Sequence, residues 1–154
     1  MSKIVIAGTR NLHPSMEDID RALQAFCDFH PEVLPRGLNS ISAVISGGAT
    51  GVDECGERWA HHRLCPGWAR PGHACSTKLA QARRCNAVVS FPADWRKHGN
   101  AAGPIRNREM ALACDGALVF WARNSPGTAS MVRILEERNI PRVVTVFDRG
   151  MEYR

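Results

Sequence analysis

An α/β fold with a mainly parallel sheet of about five strands, covered by helices on both faces, is what this sequence predicts. Three observations carry the prediction. Short β-branched runs recur along the chain, all but the last are followed by a stretch with helical apolar spacing, and glycine-containing turns stand at several of the junctions. The 154 residues suffice for one well-formed core and are too few for two ordinary domains, so residues 1–154 are read as a single domain.

Ile4 to Ala7 forms the first strand. Ser15-x-x-Asp18 has capping-box spacing and opens a helix whose Ile19, Leu23 and Phe26 share one face. A second apolar run begins at Ile41 and includes Val44 and Ile45, and Gly47-Gly48 let the chain turn sharply into the next helix. Thr50-x-x-Asp53 also fits a capping box, with Asp in place of the usual Glu or Gln. Residues 64–85 contain Pro66, Gly67, Pro71 and Gly72 and read as an irregular excursion. Asn86 to Phe91 gives the third strand, and Gly103-Pro104 opens a helix with proline at its first position. Ala117 to Trp121 is the fourth strand, Pro126-Gly127-Thr128 leads into a helix carrying Val132 and Leu135, and Val143 to Phe147 is the fifth.

The formal charge of +5 suits phosphate-bearing ligands without requiring a nucleic acid polymer. Basic residues concentrate between Arg58 and Arg108, where Asp94 is the lone acid. No targeting signal and no run of membrane-spanning length is visible, so a cytoplasmic protein with no membrane partner is expected. Six scattered cysteines then favour thiols over a disulfide framework. Cys65, His73 and Cys75, with His61 or His62 nearby, are zinc-ligand types without a C-x2-C pair, and no metal is expected. No cofactor is called for, and the oligomeric state stays open.

In a parallel sheet of this kind the ligand sits beyond the carboxyl ends of the strands, where strand order reverses. Gly8 to Asn11, Gly47 to Thr50, Pro92 to Arg108 and Asn124 to Thr128 should converge there. Strand, glycine turn and helix N-terminus make an anion cradle, because unpaired N–H groups and the positive helix end point into the gap. Arg106 and Arg108 stand near a helix start, where positive charge opposes the dipole. Their placement suggests an external anion or a carboxylate such as Glu109. Asp94-Trp95 could hydrogen-bond and stack a base, or Trp95 could anchor the loop to the core, where Trp59 and Trp121 are expected.

The segments GTRN, SGGATGVD with GERWA after it, FPADW, AAGPIRNREM and SPGTASM, in that order, resemble the YspA-type (cpYpsA-related) branch of the SLOG superfamily over nearly the whole chain. The resemblance implies a Rossmann-like three-layer domain that binds a nucleotide or nucleotide-derived ligand, as a sensor or carrier in bacteria or phages. It implies that Gly47, Gly48, Thr50 and Gly51 line the phosphate end and that Arg10, Arg106, Gly127 and Thr128 face the same pocket; Gly8, Asp94 and Arg108, read from the converging segments, are expected to bind the ligand with them. The LOG enzymes of this superfamily cleave the N-glycosidic bond of nucleoside monophosphates, which would give Arg106, Glu109 and Asp53 catalytic roles. Met131 stands where the second LOG motif carries a carboxylate, which counts against hydrolysis. Single-stranded DNA binding like that of DprA is a further alternative, disfavoured because no clear run of aromatics interleaves with the basic residues.

Overall fold

The computed structural model describes residues 1–65, 86–148 and 152–153. Strands β1 (Ser2–Gly8), β2 (Ile41–Ser46), β3 (Val88–Ser90), β4 (Gly116–Ala122) and β5 (Arg142–Asp148) are all parallel, and a two-residue strand β6 (Glu152–Tyr153) adds to β5 antiparallel. The order β3-β2-β1-β4-β5-β6 places the switch point between β1 and β4: the chain winds outward to β3, then crosses back to the other side of β1.

Alternation along the strands builds a core on each face. Ile4 and Ile6 point one way, with Leu118 and Phe120, onto helices α1 (Met16–Phe29) and α2 (Val52–Leu64), where Phe26 and Trp59 are fully buried. Val5, Ala7, Ala117 and Val119 point the other way, onto Met110 of helix α4 (Ala102–Ala113) and Leu135 of helix α5 (Pro126–Glu137). The three-layer α/β/α architecture is therefore present. A four-residue helix, α3 (Trp95–His98), precedes α4.

Local chemistry explains most helix starts. Ser15 and Asp18 form the full reciprocal capping box on α1. Ser125 caps α5 with Pro126 at its first position, where the missing N–H costs nothing. Two expectations are corrected. Helix α4 starts at Ala102, so Pro104 is its third residue, still within the first turn whose N–H groups lack helical partners. The N-cap of α2 is Gly51, at φ 77° and ψ −121°, and no capping box forms with Thr50. The Asp53 carboxylate instead accepts from the Ala49 N–H at 3.2 Å, bracing the loop before the helix. Most of the expected excursion, from Pro66 on, lies outside the described residues, as do His73, Cys75 and Cys85.

Candidate functional site at the strand switch point

Thr9 sits at the fork where β1 and β4 part. Its N–H donates to the Phe120 carbonyl at 3.0 Å and its Oγ1 accepts from the Ala122 N–H at 2.9 Å, so a side chain continues the ladder where the strands end. The same oxygen lies 3.3 Å from Thr128 Oγ1, itself 3.0 Å from Ser125 Oγ, which fixes the N-terminus of α5 against β1.

A second chain of bonds runs from β2 to α5 through arginine. Arg106 donates from Nη1 to the Gly47 carbonyl at 2.7 Å and from Nε to Asn107 Oδ1 at 3.2 Å, while Asn107 Nδ2 points to the Gly127 carbonyl at 3.5 Å. Gly47 exists for this contact, since a Cβ there would overlap the Arg106 guanidinium and lie 3.0 Å from the Asp53 carboxylate. At Gly51 a Cβ would strike the Arg10 carbonyl, so glycine lets the Arg10 loop close against α2. These two glycines make room for the protein's own polar groups, where the sequence suggested room for a ligand.

Between these networks lies a cavity of about 600 Å³, lined by Gly8, Thr9, Arg10, Asn11, Asp53, Trp95, Arg106, Asn107, Ser125, Gly127, Thr128 and Met131 among others. A neighbouring cavity of about 650 Å³ is lined by Gly47, Gly48, Thr50, Ser90, Pro92 and Ala93, and shares Arg10, Ala49, Trp95 and Arg106 with the first. All four segments named from the sequence thus meet at the carboxyl end of the sheet. Not every residue named with them does: Arg108 and Glu109 lie on the exposed side of α4 and line neither cavity. Asp94 also lines neither, and its carboxylate caps α3 by accepting from the Lys97 N–H at 3.0 Å. Met131 is buried in the second core at the cavity wall, and Trp59 is core as expected. Trp95 is no core anchor, being 51% exposed at the wall both cavities share. Thr9, Asn107 and Ser125 lie in segments named from the sequence but were not singled out there, because neutral hydrogen-bonding side chains carry neither a periodic nor a charge signal.

The electrostatics are unbalanced toward cations. Burial pulls the Arg106 guanidinium below its ordinary pKa, the Asp53 carboxylate opposes that shift, and the like charge of Arg10 adds to it. Among the described residues neither Arg10 nor Arg106 forms an ion pair. At 4% exposure, burial pushes Asp53 up from 3.8 to about 6, against N–H donation from Ala49 and Gly8 and the charge of Arg106, with Glu57 adding repulsion.

A raised acid pKa means that the folded state keeps a proton the unfolded chain has released. Asp53 therefore makes stability fall as pH rises from about 4 to about 6, with no further loss above. Asp53→Asn should remove that slope, so its stability relative to the parent should rise by on the order of 3 kcal/mol across the window. Urea titrations of both proteins at several pH values check this, and a difference independent of pH would contradict it.

No family model matches the chain. It is 33% identical over 108 residues to the gene 61 protein of Mycobacterium phage D29, an alignment spanning 70% of each sequence. Among solved structures it is similar to DNA processing protein A of Helicobacter pylori, described for its single-stranded DNA binding mode. The TM-score is 0.57 and the identity 21%, over 99% of this chain and 68% of that one. At that identity the likeness concerns the fold, which is the Rossmann-like fold of DprA. Among the described residues no helix is long and apolar enough to cross a membrane.

Proposed function

The chain belongs to the family of the mycobacteriophage D29 gene 61 protein, and we propose that it binds the phosphate of a nucleotide-derived ligand at the carboxyl ends of β1 and β4. One observation carries the reading: Arg10 and Arg106 converge on the wall of a crevice, without ion pairs among the described residues, beside the N-terminus of α5. Asp53 already offsets part of the repulsion between the two guanidinium groups, and an anion between them adds charge-assisted hydrogen bonds on the open side of the crevice. Gly127 lies at the second position of α5 with nothing within 4 Å of where its Cβ would be, so a ligand oxygen can approach that helix end. The segments SGGATGVD and GPIRNREM, placed by the fold on this crevice, support membership of the YspA-type branch of the SLOG superfamily, with residues 1–154 as one such domain.

Binding without turnover is the expected behaviour. An N-glycosidase needs a carboxylate beside the ribose, and Asp53 is the sole carboxylate among the described residues lining either cavity, held by its own loop. The second reading, single-stranded DNA, is supported by exposed Trp95 with Arg96 and Lys97 on the same short helix, a stacking platform edged with positive charge. The DprA-like fold points the same way.

Calorimetry of the full chain with nucleosides, their 5′-monophosphates and an oligonucleotide tests both. Phosphorylated ligands should bind about tenfold or more tightly than their nucleosides, with no free base released. A steep loss of oligonucleotide affinity with salt would select the polymer. Equal affinity for nucleoside and monophosphate, with no oligonucleotide binding, would overturn the proposal.

A further inference from the structure

We infer that the crevice takes a ligand of two nucleoside units joined through a phosphate bridge, with the bridge at Arg10 and Arg106 and one base on Trp95. This rests on the reading that the crevice binds a nucleotide phosphate, and extends it to the form of the ligand.

The geometry is bipartite. Two cavities of about 600 and about 650 Å³ lie side by side, each within the range of about 300–1,000 Å³ typical of a site for one small ligand. Their common wall is Arg10, Ala49, Trp95 and Arg106. The first cavity opens between the ends of β1 and β4, and the second over the loops after β2 and β3. A mononucleotide held by its phosphate at the arginine pair would occupy one side and leave the other solvated. A phosphate bridge at the pair instead directs one nucleoside into each cavity.

Trp95 stands at the same boundary. Its indole is half-exposed and lies over the start of α4, where a Cβ on Gly103 would stand 3.4 Å from the ring, an ordinary van der Waals contact. An exposed aromatic face beside a cationic pair provides stacking for a base whose phosphate the pair holds. The bridging chemistry is shared by a small dinucleotide and by one step of single-stranded DNA.

Calorimetry with the full chain separates these outcomes. The probes are deoxynucleoside 5′-monophosphates, the matching 5′-phosphorylated homodinucleotides, a dinucleotide linked 5′ to 5′ through pyrophosphate, and long homo-oligonucleotides. At least one dinucleotide should bind about tenfold or more tightly than its monophosphate. The ratio should fall to about one in Trp95→Ala, and also in Ala93→Trp, which fills the second cavity, while Trp95→Phe should keep most of it. An oligonucleotide tighter than the dinucleotide, with steep salt dependence, assigns the bridge to single-stranded DNA, and a preference for the pyrophosphate-linked dinucleotide assigns it to a small ligand. Monophosphates that bind as tightly as every dinucleotide overturn this inference and leave the phosphate reading standing. No binding of any phosphorylated probe would remove both.

Discussion

Gly51→Val is expected to destabilise the fold by on the order of 3–5 kcal/mol, combining backbone strain at a conformation almost confined to glycine with overpacking against the Arg10 backbone. Gly51 holds φ 77° and ψ −121° at the N-cap of α2, and its would-be Cβ overlaps the Arg10 carbonyl, 2.8 Å from that of Thr9. Backbone cannot step aside as a long side chain can, so the Arg10 loop must be pushed off α2. The urea midpoint should fall with little change in slope. A loss below about 1 kcal/mol would show that the loop is not packed as described.

Arg106→Ala should weaken binding of a phosphorylated nucleotide by about 1.5–3 kcal/mol, the range for hydrogen bonds to charged groups, and should hardly affect the matching nucleoside. Arg106 also clamps the β2 loop through the Gly47 carbonyl, so the variant loses a structural bond as well. Gly47→Ala disturbs the same contact from the other side. The added methyl meets the guanidinium, the far end of a flexible side chain, so Arg106 should shift away from both the Gly47 carbonyl and the ligand while keeping its charge, and the loss for the phosphorylated nucleotide should be smaller than in Arg106→Ala. If both variants weakened nucleoside and nucleotide equally, Arg106 would support the crevice without reading phosphate.

The layers of this fold were legible because they follow from local pattern. Ile4 and Ile6 against Val5 and Ala7 announce a strand buried on both faces, and Ser15 with Asp18 announces a helix start; the structure has both. The strand order that makes the crevice follows from alternating strands and helices only together with the rule that ligands gather where winding reverses. What stayed hidden depends on pairings across the chain. Gly47 is explained by Arg106, 59 positions away, and Thr9 by Ala122, 113 positions away. Asp53 shows how local spacing misleads: it sits three residues after Thr50, yet its carboxylate turns back to Ala49 because Gly51 takes the N-cap. Trp95 could be read either way because a four-residue helix is too short to display a face. Arg108 and Glu109 shared a motif with Arg106, but Arg108, two residues on, falls on another face of α4, and Glu109, although at i+3, is exposed and lines neither cavity; of the three, Arg106 alone does.

The most direct test of phosphate binding at the switch point is a nuclear magnetic resonance titration of backbone amides with a nucleoside 5′-monophosphate. The account predicts that the largest shifts fall on Thr9, Arg10, Gly47, Gly48, Gly127 and Thr128, and that they are much smaller with the unphosphorylated nucleoside. Shifts centred elsewhere, such as on the outer face of α2 around Arg58 and Arg63, or identical shifts with and without the phosphate, would contradict it.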